Sequence, residues 1–350
     1  MRYLITGGLG VVGSLLAIDL VRSGHQVSII DKGGDARHGF TTMRLCGEGH
    51  GRVDPKDVCC ARIETMKVEN LAAIIASCDA VIHAAAHTGI PHSAEAVDDD
   101  WASNVDATKR LLDALRLEPR PTVLMSSVKP YRVHDWPVVK VGCRYEWKHL
   151  VLGVNENVVL EPDEPYAASK MAQSALGMAY ARSFGLPVTV LRFSNLYGPA
   201  PCHGPRHGWM TWFCISAALG VPLHIQGNGM QVRDLLYSTD INTALLAAIK
   251  NIDKTHGNVY NVGGGGSCGG KMTTSVNEAV DLMRELNPDI PVEMSEGRKH
   301  EDPVFITDYT KFKNATGWSP QTTVRHGADK IYEWARKNSE DLRKVYAPCL

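Results

Sequence analysis

Arg2-Tyr3-Leu4-Ile5-Thr6-Gly7-Gly8-Leu9-Gly10-Val11-Val12-Gly13 opens the chain, and the fold turns on how it is read. An apolar strand over residues 2–6 runs into a glycine turn, and a helix follows from about residue 11 to residue 23. Gly8, Gly10 and Gly13 satisfy G-x-G-x-x-G where that pattern has mechanical meaning, between a strand and a helix. The glycines permit a tight turn, close approach of backbone to a pyrophosphate and close helix packing, and the helix N-terminus faces the negative charge. A second strand, residues 26–31, ends on Asp31, 18 positions after Gly13 (31 − 13). A carboxylate there accepts hydrogen bonds from ribose hydroxyls and repels a 2′-phosphate, which predicts NAD rather than NADP. The competing reading is a plain strand-turn-helix with no ligand.

Tyr166-Ala167-Ala168-Ser169-Lys170 is the second informative string. Residues i and i+4 are neighbours on a helix, so it sets a phenol beside an ammonium. The ammonium favours the phenolate and is expected to lower the tyrosine pKa from about 10. Such a tyrosine takes a proton from an alcohol near neutral pH. Ser127, closing the strand that carries Ser126, can hydrogen-bond the reacting hydroxyl and polarise the ketone that forms. Taken alone, Tyr-x-x-x-Lys is equally an amphipathic helix end. Behind a glycine turn of this kind it points to redox chemistry on a hydroxyl group.

The rest of the first half supports a parallel sheet. Residues 80–83, 122–126 and 187–193 read as short buried strands, and 98–117 and 166–184 as helices. That alternation means βαβ units with helices on both faces. After Tyr197-Gly198-Pro199 the chain is dense in glycine, proline, histidine and tryptophan through Trp212, which suggests a looped, substrate-facing segment. Helices are expected over 274–286 and from 324 to about 343. The reading is an α/β protein, a doubly wound parallel (Rossmann) sheet with a smaller C-terminal α/β lobe. The dinucleotide domain takes residues 1–195 with 234–262, and the substrate lobe 196–233 with 263–350.

At 350 residues the chain is longer than one core usually supports. A net charge of −1 gives no electrostatic footprint for nucleic acid or an anionic membrane. Nine cysteines, scattered and odd in number, read as reduced thiols of a cytoplasmic protein. The first strand leaves no room for a signal peptide, and no apolar run approaches the roughly 20 residues that span a bilayer. Three lesser patterns are set aside. Gly265 to Gly270 with Lys271 approaches a P-loop, but Met272 stands where Ser or Thr belongs. His83 with His87, and Cys202 with His203 and His207, lack a completing ligand, so no metal is expected. Trp209, Trp212 and Phe213 read as packing.

These motifs together resemble the extended short-chain dehydrogenase/reductases that act on nucleotide sugars, and the match covers nearly the whole chain. Asn104-Val105-Asp106-Ala107-Thr108, Arg192-Phe193-Ser194-Asn195-Leu196-Tyr197-Gly198-Pro199 and Gly317-Trp318-Ser319-Pro320 carry it beside the two strings above. The resemblance implies a catalytic set of Ser127, Tyr166 and Lys170. It implies an NAD site from Gly7, Gly10, Val11, Val12, Gly13, Asp31, Ile63, Ala84, Ala85 and Asn104, with Tyr166 and Lys170. For the nucleotide-diphosphate sugar it implies His87, Lys129, Asn195, Trp209, Arg233, Arg298 and Glu301. It also implies a homodimer built on helices 98–117 and 166–184.

Within the family the chain is most similar to the CDP-tyvelose (CDP-paratose) 2-epimerase branch. Three features carry this: the 39-position spacing of Ser127 and Tyr166 (166 − 127), Gly208-Trp209-Met210-Thr211-Trp212-Phe213-Cys214, and Gly227-Asn228-Gly229-Met230-Gln231-Val232-Arg233-Asp234. The implied reaction is epimerisation at C2 through a transient ketone. The alternatives are C4 epimerisation, another sugar-nucleotide oxidation, or a non-catalytic NAD sensor. Two departures stand out. Arg62 replaces the usual acid before Ile63, and Val128-Lys129 follows Ser127 where dehydratases carry acids.

Overall fold

The structure, a computed structural model, describes residues 1–33, 53–88, 95–149, 152–200, 208–265, 271–297 and 301–347. Seven strands form the main sheet: β1 (Arg2–Thr6), β2 (Gln26–Asp31), β3 (Val58–Cys60), β4 (Ala80–His83), β5 (Thr122–Ser127), β6 (Val188–Phe193) and β7 (Val259–Val262). Their order is β7-β6-β5-β4-β1-β2-β3 and every pairing is parallel. The order reverses between β1 and β4, and in such sheets ligands bind in the crevice beyond the strand ends at that switch point.

Strand alternation loads both faces. Tyr3 and Ile5 of β1, with Val123 and Met125 of β5, face one core, packed against helices Val11–Arg22 and Ser238–Lys250. Leu4 and Leu124 face the other, against helices Val68–Ala76, Ala107–Leu117 and Pro165–Phe184. Leu111 and Leu112 are wholly buried there, and truncating either to Ala would cost about 2–5 kcal/mol. Gly177 lets helix Pro165–Phe184 lie close on β5, because a Cβ at that position would stand 2.6 Å from Leu124 Cδ1. The helix bearing Tyr166 is thereby held against the strand bearing Ser127.

The remaining elements build a second apolar cluster around Trp212, Phe213, Leu235, Met283 and Ile331. Helix Thr310–Thr316 returns to the large sheet, where Phe312 and Trp318 join its core. Between β5 and helix Pro165–Phe184 a hairpin of Val138–Val141 and Arg144–Trp147 reaches across to the second cluster. Arg144 pairs with Glu278 at 3.1 Å, and Tyr145 N–H donates to the Met230 carbonyl at 2.8 Å.

Several elements differ from the sequence expectation. The helix expected over 98–117 is helical from Val97 but widens into a π-turn over Ala102–Asp106. Residues Thr273–Ser275 form a strand antiparallel to Val232–Tyr237, and the helix expected from residue 274 begins at Val276, where Ser275 caps it in a capping box with Glu278. The last helix breaks at Asn338 into Val324–Lys337 and Ser339–Tyr346. The loop expected through Trp212 gives way already at Trp209 to helix Trp209–Leu219, whose apolar residues fill the second cluster.

Candidate active site

The glycine turn forms as expected, except that Gly7 and not Gly8 is the first glycine to face the groove. Gly7 has φ +70°, and a Cβ on it would stand 2.6 Å from the Ala85 backbone; a Cβ on Gly8 would instead meet the Ile29 side chain. Gly7 and Gly10 line the groove, whereas Gly13 packs beneath the turn against the Gly7 carbonyl. The turn runs into the open N-terminus of helix Val11–Arg22, and Val11 and Val12 lie on the groove wall. Asp31 ends β2 beside it, its Oδ2 accepting the Leu9 N–H at 2.9 Å and its Oδ1 the Gly33 N–H at 3.0 Å. Asp31, Arg62, Ile63, Ala84 and Ala85 enclose a recess of about 120 Å³. Arg62 is ion-paired with Glu64 at 3.3 Å. A backbone cradle that no Cβ would fit, a helix N-terminus and a carboxylate at the next strand end match a dinucleotide with a free ribose 2′-hydroxyl.

A cleft of about 510 Å³ continues from the turn across Ser127, Tyr166 and Lys170 to the second cluster. The Tyr166 phenol hydrogen-bonds with Ser127, which lowers its pKa, but burial dominates and pushes it up to about 12, helped by the charges of Asp100 and Glu164. Lys170 is buried, and burial drives its pKa down to about 7, opposed by Asp100. Its amine donates to the Met125 carbonyl at 3.0 Å and to Gln173 Oε1 at 2.9 Å. The expected lowering of the Tyr166 pKa by Lys170 is not what the structure shows: burial dominates, raising the phenol and bringing the amine down to about 7. Ser126 has a holding role, its Oγ donating to the Lys170 carbonyl at 3.0 Å and thereby tying β5 to the helix.

Across the cleft the wall carries Lys129, Asn195, Trp209, Arg233 and Glu301. Lys129 N–H donates to Ser127 Oγ at 3.2 Å, and its amine lies 3.9 Å from Asp302. Arg233 is buried and ion-paired with Glu301 at 2.5 Å. Asn195 donates to the Asp234 carbonyl at 3.4 Å. Trp212 and Phe213 are buried in the second cluster, and Trp209 packs against it. Arg298 lies outside the described residues, as do Cys202, His203 and His207 and the glycines from 266 to 270.

Two expected residues stand behind the wall. Asn104 is fully buried, its Oδ1 accepting the His87 N–H at 2.9 Å and its Nδ2 donating to Ser169 Oγ at 2.9 Å. It braces two segments against each other instead of facing the groove. The His87 ring is held by Asp100 at 2.7 Å and is not part of the cleft lining. Both ring nitrogens of His83 are engaged by threonine hydroxyls, so it has no lone pair to offer a metal. Among the described residues no three His, Cys, Asp or Glu side chains cluster to hold a metal ion, and no helix is long and apolar enough to cross a membrane.

The sequence reading missed Asp302, Asp100 and Gln173. Asp302 directly follows Glu301 and lines the same cleft, its carboxyl pushed up by burial although Lys129 and Arg233 oppose this. Asp100 lies four residues before Asn104, and Gln173 three after Lys170, spacings that place each on its neighbour's helix face.

The family model for the NAD dependent epimerase/dehydratase family matches residues 3–263. A CDP-paratose 2-epimerase of Salmonella typhi is 30% identical, over 95% of this chain and 99% of that protein. A probable dTDP-glucose 4,6-dehydratase of Sinorhizobium fredii is 29% identical, over 99% and 97%. Among solved structures, a UDP-glucose 4-epimerase of Thermotoga maritima with UDP-glucose superposes with a TM-score of 0.78 at 26% identity, covering 97% of this chain and 100% of that one. With the glycine turn, Asp31 and the Tyr166 helix around one cleft, these likenesses make the chain a member of the NAD dependent epimerase/dehydratase family, an NAD-dependent enzyme of nucleotide-sugar chemistry.

Proposed function

We propose that the protein inverts C2 of a nucleotide-diphosphate sugar by oxidation to a ketone and reduction from the opposite face. The observation that carries this reading is the single cleft in which Ser127, Tyr166 and Lys170 lie between the glycine turn and the wall of Asn195, Arg233 and Glu301. Bound NAD supplies reversible hydride acceptance. Tyr166 takes the sugar hydroxyl proton and returns it, with Ser127 holding the same oxygen. Lys170, in its ammonium form, favours the phenolate through its positive charge. Arg233, Asn195 and Glu301 hold the diphosphate and ribose. Residues 1–195 with 234–262 carry the cofactor in this reading, and 196–233 with 263–350 the sugar nucleotide.

The choice of C2 rests on likeness to the paratose 2-epimerase, and that of epimerisation on Lys129, which occupies the second position after Ser127. A second reading, dehydration, is favoured by one observation: Asp302, whose carboxyl burial shifts upward, brings an acid/base group to the cleft from another segment. Incubation with CDP-, UDP-, GDP- and dTDP-linked hexoses and deoxyhexoses, with products read by NMR, decides between them. A C2 epimer is expected; inversion at C4 alone, or a 4-keto-6-deoxy product, would sink the proposal.

We also propose a homodimer through helices Ala107–Leu117 and Pro165–Phe184. Met178 is buried in the subunit's own core, and Leu176 and Tyr180 pack against it, so these side chains do not argue for a partner. The support comes instead from Leu117 and Phe184 on these helices and Val97 and Trp101 on the short helix Val97–Trp101, all exposed. Light scattering should give twice the chain mass of 38.2 kDa, and a monomer at micromolar concentration would refute it.

A further inference from the structure

We propose that Gln173 and His83 are positioning residues for Lys170, tying its amine through Thr108 to the strand end that carries the dinucleotide turn. The proposal rests on the catalytic role of Lys170, and not on which carbon is inverted. Lys170 Nζ donates to Gln173 Oε1 at 2.9 Å, and Gln173 Nε2 donates to Thr108 Oγ1 at 3.0 Å. Thr108 Oγ1 lies 2.9 Å from His83 Nε2, and His83 Nδ1 lies 2.7 Å from Thr6 Oγ1. Thr6 is the last residue of β1, one position before Gly7, and its Oγ1 accepts the Ala85 N–H at 3.4 Å. Every side chain in this chain of bonds is buried.

The direction of each bond follows from proton counting. Thr108 has one hydroxyl proton, and the Asn104 carbonyl, 2.7 Å away, can only accept it. Thr108 Oγ1 must then accept from both Gln173 and His83, so His83 carries its proton on Nε2. His83 Nδ1 is left as an acceptor, which Thr6 Oγ1 fills by donating. This is the arrangement in which every polar atom of the chain has a complementary partner, as buried groups require. An imidazolium would put a second donor against the Thr6 hydroxyl and waste its proton. Burial and the nearby Lys170 charge accordingly hold the His83 pKa down to about 3.

Helix Pro165–Phe184 presents Lys170 to the cleft, but a flexible four-carbon stem does not fix an amine. Two acceptors do: the Met125 carbonyl on β5 and Gln173 Oε1. Gln173 is oriented by Thr108, and Thr108 is braced by His83 against β1. The charged and titratable groups coupled to Lys170 and Tyr166 from neighbouring elements are Asp100, on helix Val97–Trp101, Glu164, which precedes the catalytic helix, and His83 of β4. Asp100 and Glu164 lie outside the Gln173 chain, and His83 is its neutral far end, so changes at Gln173 leave the first two in place.

The first test uses the wild-type protein without added substrate. Long-range proton–nitrogen NMR of histidine-labelled protein should show one ring, missing in His83→Gln, that stays neutral with its proton on Nε2 from about pH 8 to about pH 5. A proton on Nδ1, or titration in that range, would overturn the proposal whatever the reaction catalysed. The second test is kinetic. Gln173→Glu keeps an acceptor for Lys170 and adds a negative charge, so the alkaline fall in kcat should move to higher pH. Gln173→Leu should move it to lower pH and reduce kcat at least about tenfold with little change in KM, the signature of a lost transition-state contribution. Lower thermal stability with both pH profiles unmoved would assign Gln173 a merely structural role. If neither variant folds, the wild-type NMR result still decides.

Discussion

Arg233 Nη2 stands 2.5 Å from Glu301 Oε1, so the two residues that the resemblance assigns to the diphosphate and the ribose are paired with each other across one edge of the cleft. The remaining contacts of Arg233 fix the guanidinium: Nη1 donates to the carbonyls of Val232 at 2.8 Å and Asp302 at 2.7 Å. Glu301 is the more exposed partner, with 30% of its side chain open. In the proposed complex the Glu301 carboxylate turns away while the guanidinium stays.

The expected outcome is asymmetric. Arg233→Leu should raise KM for the nucleotide sugar by at least about tenfold, consistent with the roughly 1.5–3 kcal/mol of a charge-assisted hydrogen bond. NAD retained by the purified protein should be unchanged. Glu301→Gln should have the smaller effect, since it weakens the ribose contact but frees the guanidinium. Steady-state kinetics and mass spectrometry of the denatured protein check both; equal losses of sugar and NAD binding in Arg233→Leu would make the residue structural.

Lys170 and Tyr166 give a pH dependence with a definite sign. Burial lowers the lysine from its unfolded value of 10.5 to about 7, so between those values the unfolded state binds more protons and stability rises with pH. The burial cost is full below about pH 7 and gone above about 10.5. Lys170→Met removes that cost, about 1.4 kcal/mol for each tenfold loss of proton affinity, while leaving the Met125 carbonyl and Gln173 Oε1 without their donor. The stability of the variant relative to wild type should therefore fall by a few kcal/mol as pH rises through that window. Urea unfolding at several pH values tests this. Tyr166→Phe, by contrast, should leave stability nearly unchanged below pH 10 and cost roughly 10²–10⁴-fold in turnover.

Much of this was legible in the sequence for a physical reason. Strands β1, β2 and β4 are buried on both faces, so they read as continuous apolar runs, and their ends at Thr6, Asp31 and His83 are marked by turn residues or an acid. β3 is three residues long with Cys59 and Cys60 exposed, and carries no periodicity to read. Spacing put Tyr166 and Lys170 on one helix face. It could not say that a third element, the Met125 carbonyl of β5, would take the lysine amine, nor that burial would outweigh the mutual charge effect. The resemblance places Asn104 and His87 at the ligand, but Asn104 sits on a π-turn that no local propensity announces and turns inward to the His87 backbone.

Asp31 predicts the cofactor. Its carboxylate is braced by the Leu9 and Gly33 amides and lines the recess beside the turn, so a 2′-phosphate would be forced against it. Arg62 lines the same recess and pairs with Glu64, leaving it less able to offset the repulsion. The purified protein should release NAD on denaturation, with NADP a minor component. Asp31→Ala should erode the preference about tenfold or more, a change of about 1.4 kcal/mol. It should also loosen the turn, because the Leu9 amide loses its acceptor. Release of NADP alone, or an unchanged preference in the variant, would refute the assignment.

The proposed cycle makes a claim about isotopes that separates it from ordinary oxidation. A sugar whose C2 hydrogen is removed and returned within one closed cleft exchanges nothing with solvent at that carbon. Substrate carrying deuterium at C2 should give an epimer that keeps the label, and the reaction run in D2O should introduce none there. The hydroxyl proton handled by Tyr166 exchanges freely and leaves no trace, so the carbon-bound label is the informative one. A net dehydrogenase would accumulate a keto product with stoichiometric NADH, visible by its absorbance. Inversion through a carbanion would wash deuterium in from solvent. Retention is the expected result, read by NMR of the recovered sugar. Solvent label at C2 would remove Tyr166 from the role of alcohol base and leave the fold and the cofactor standing.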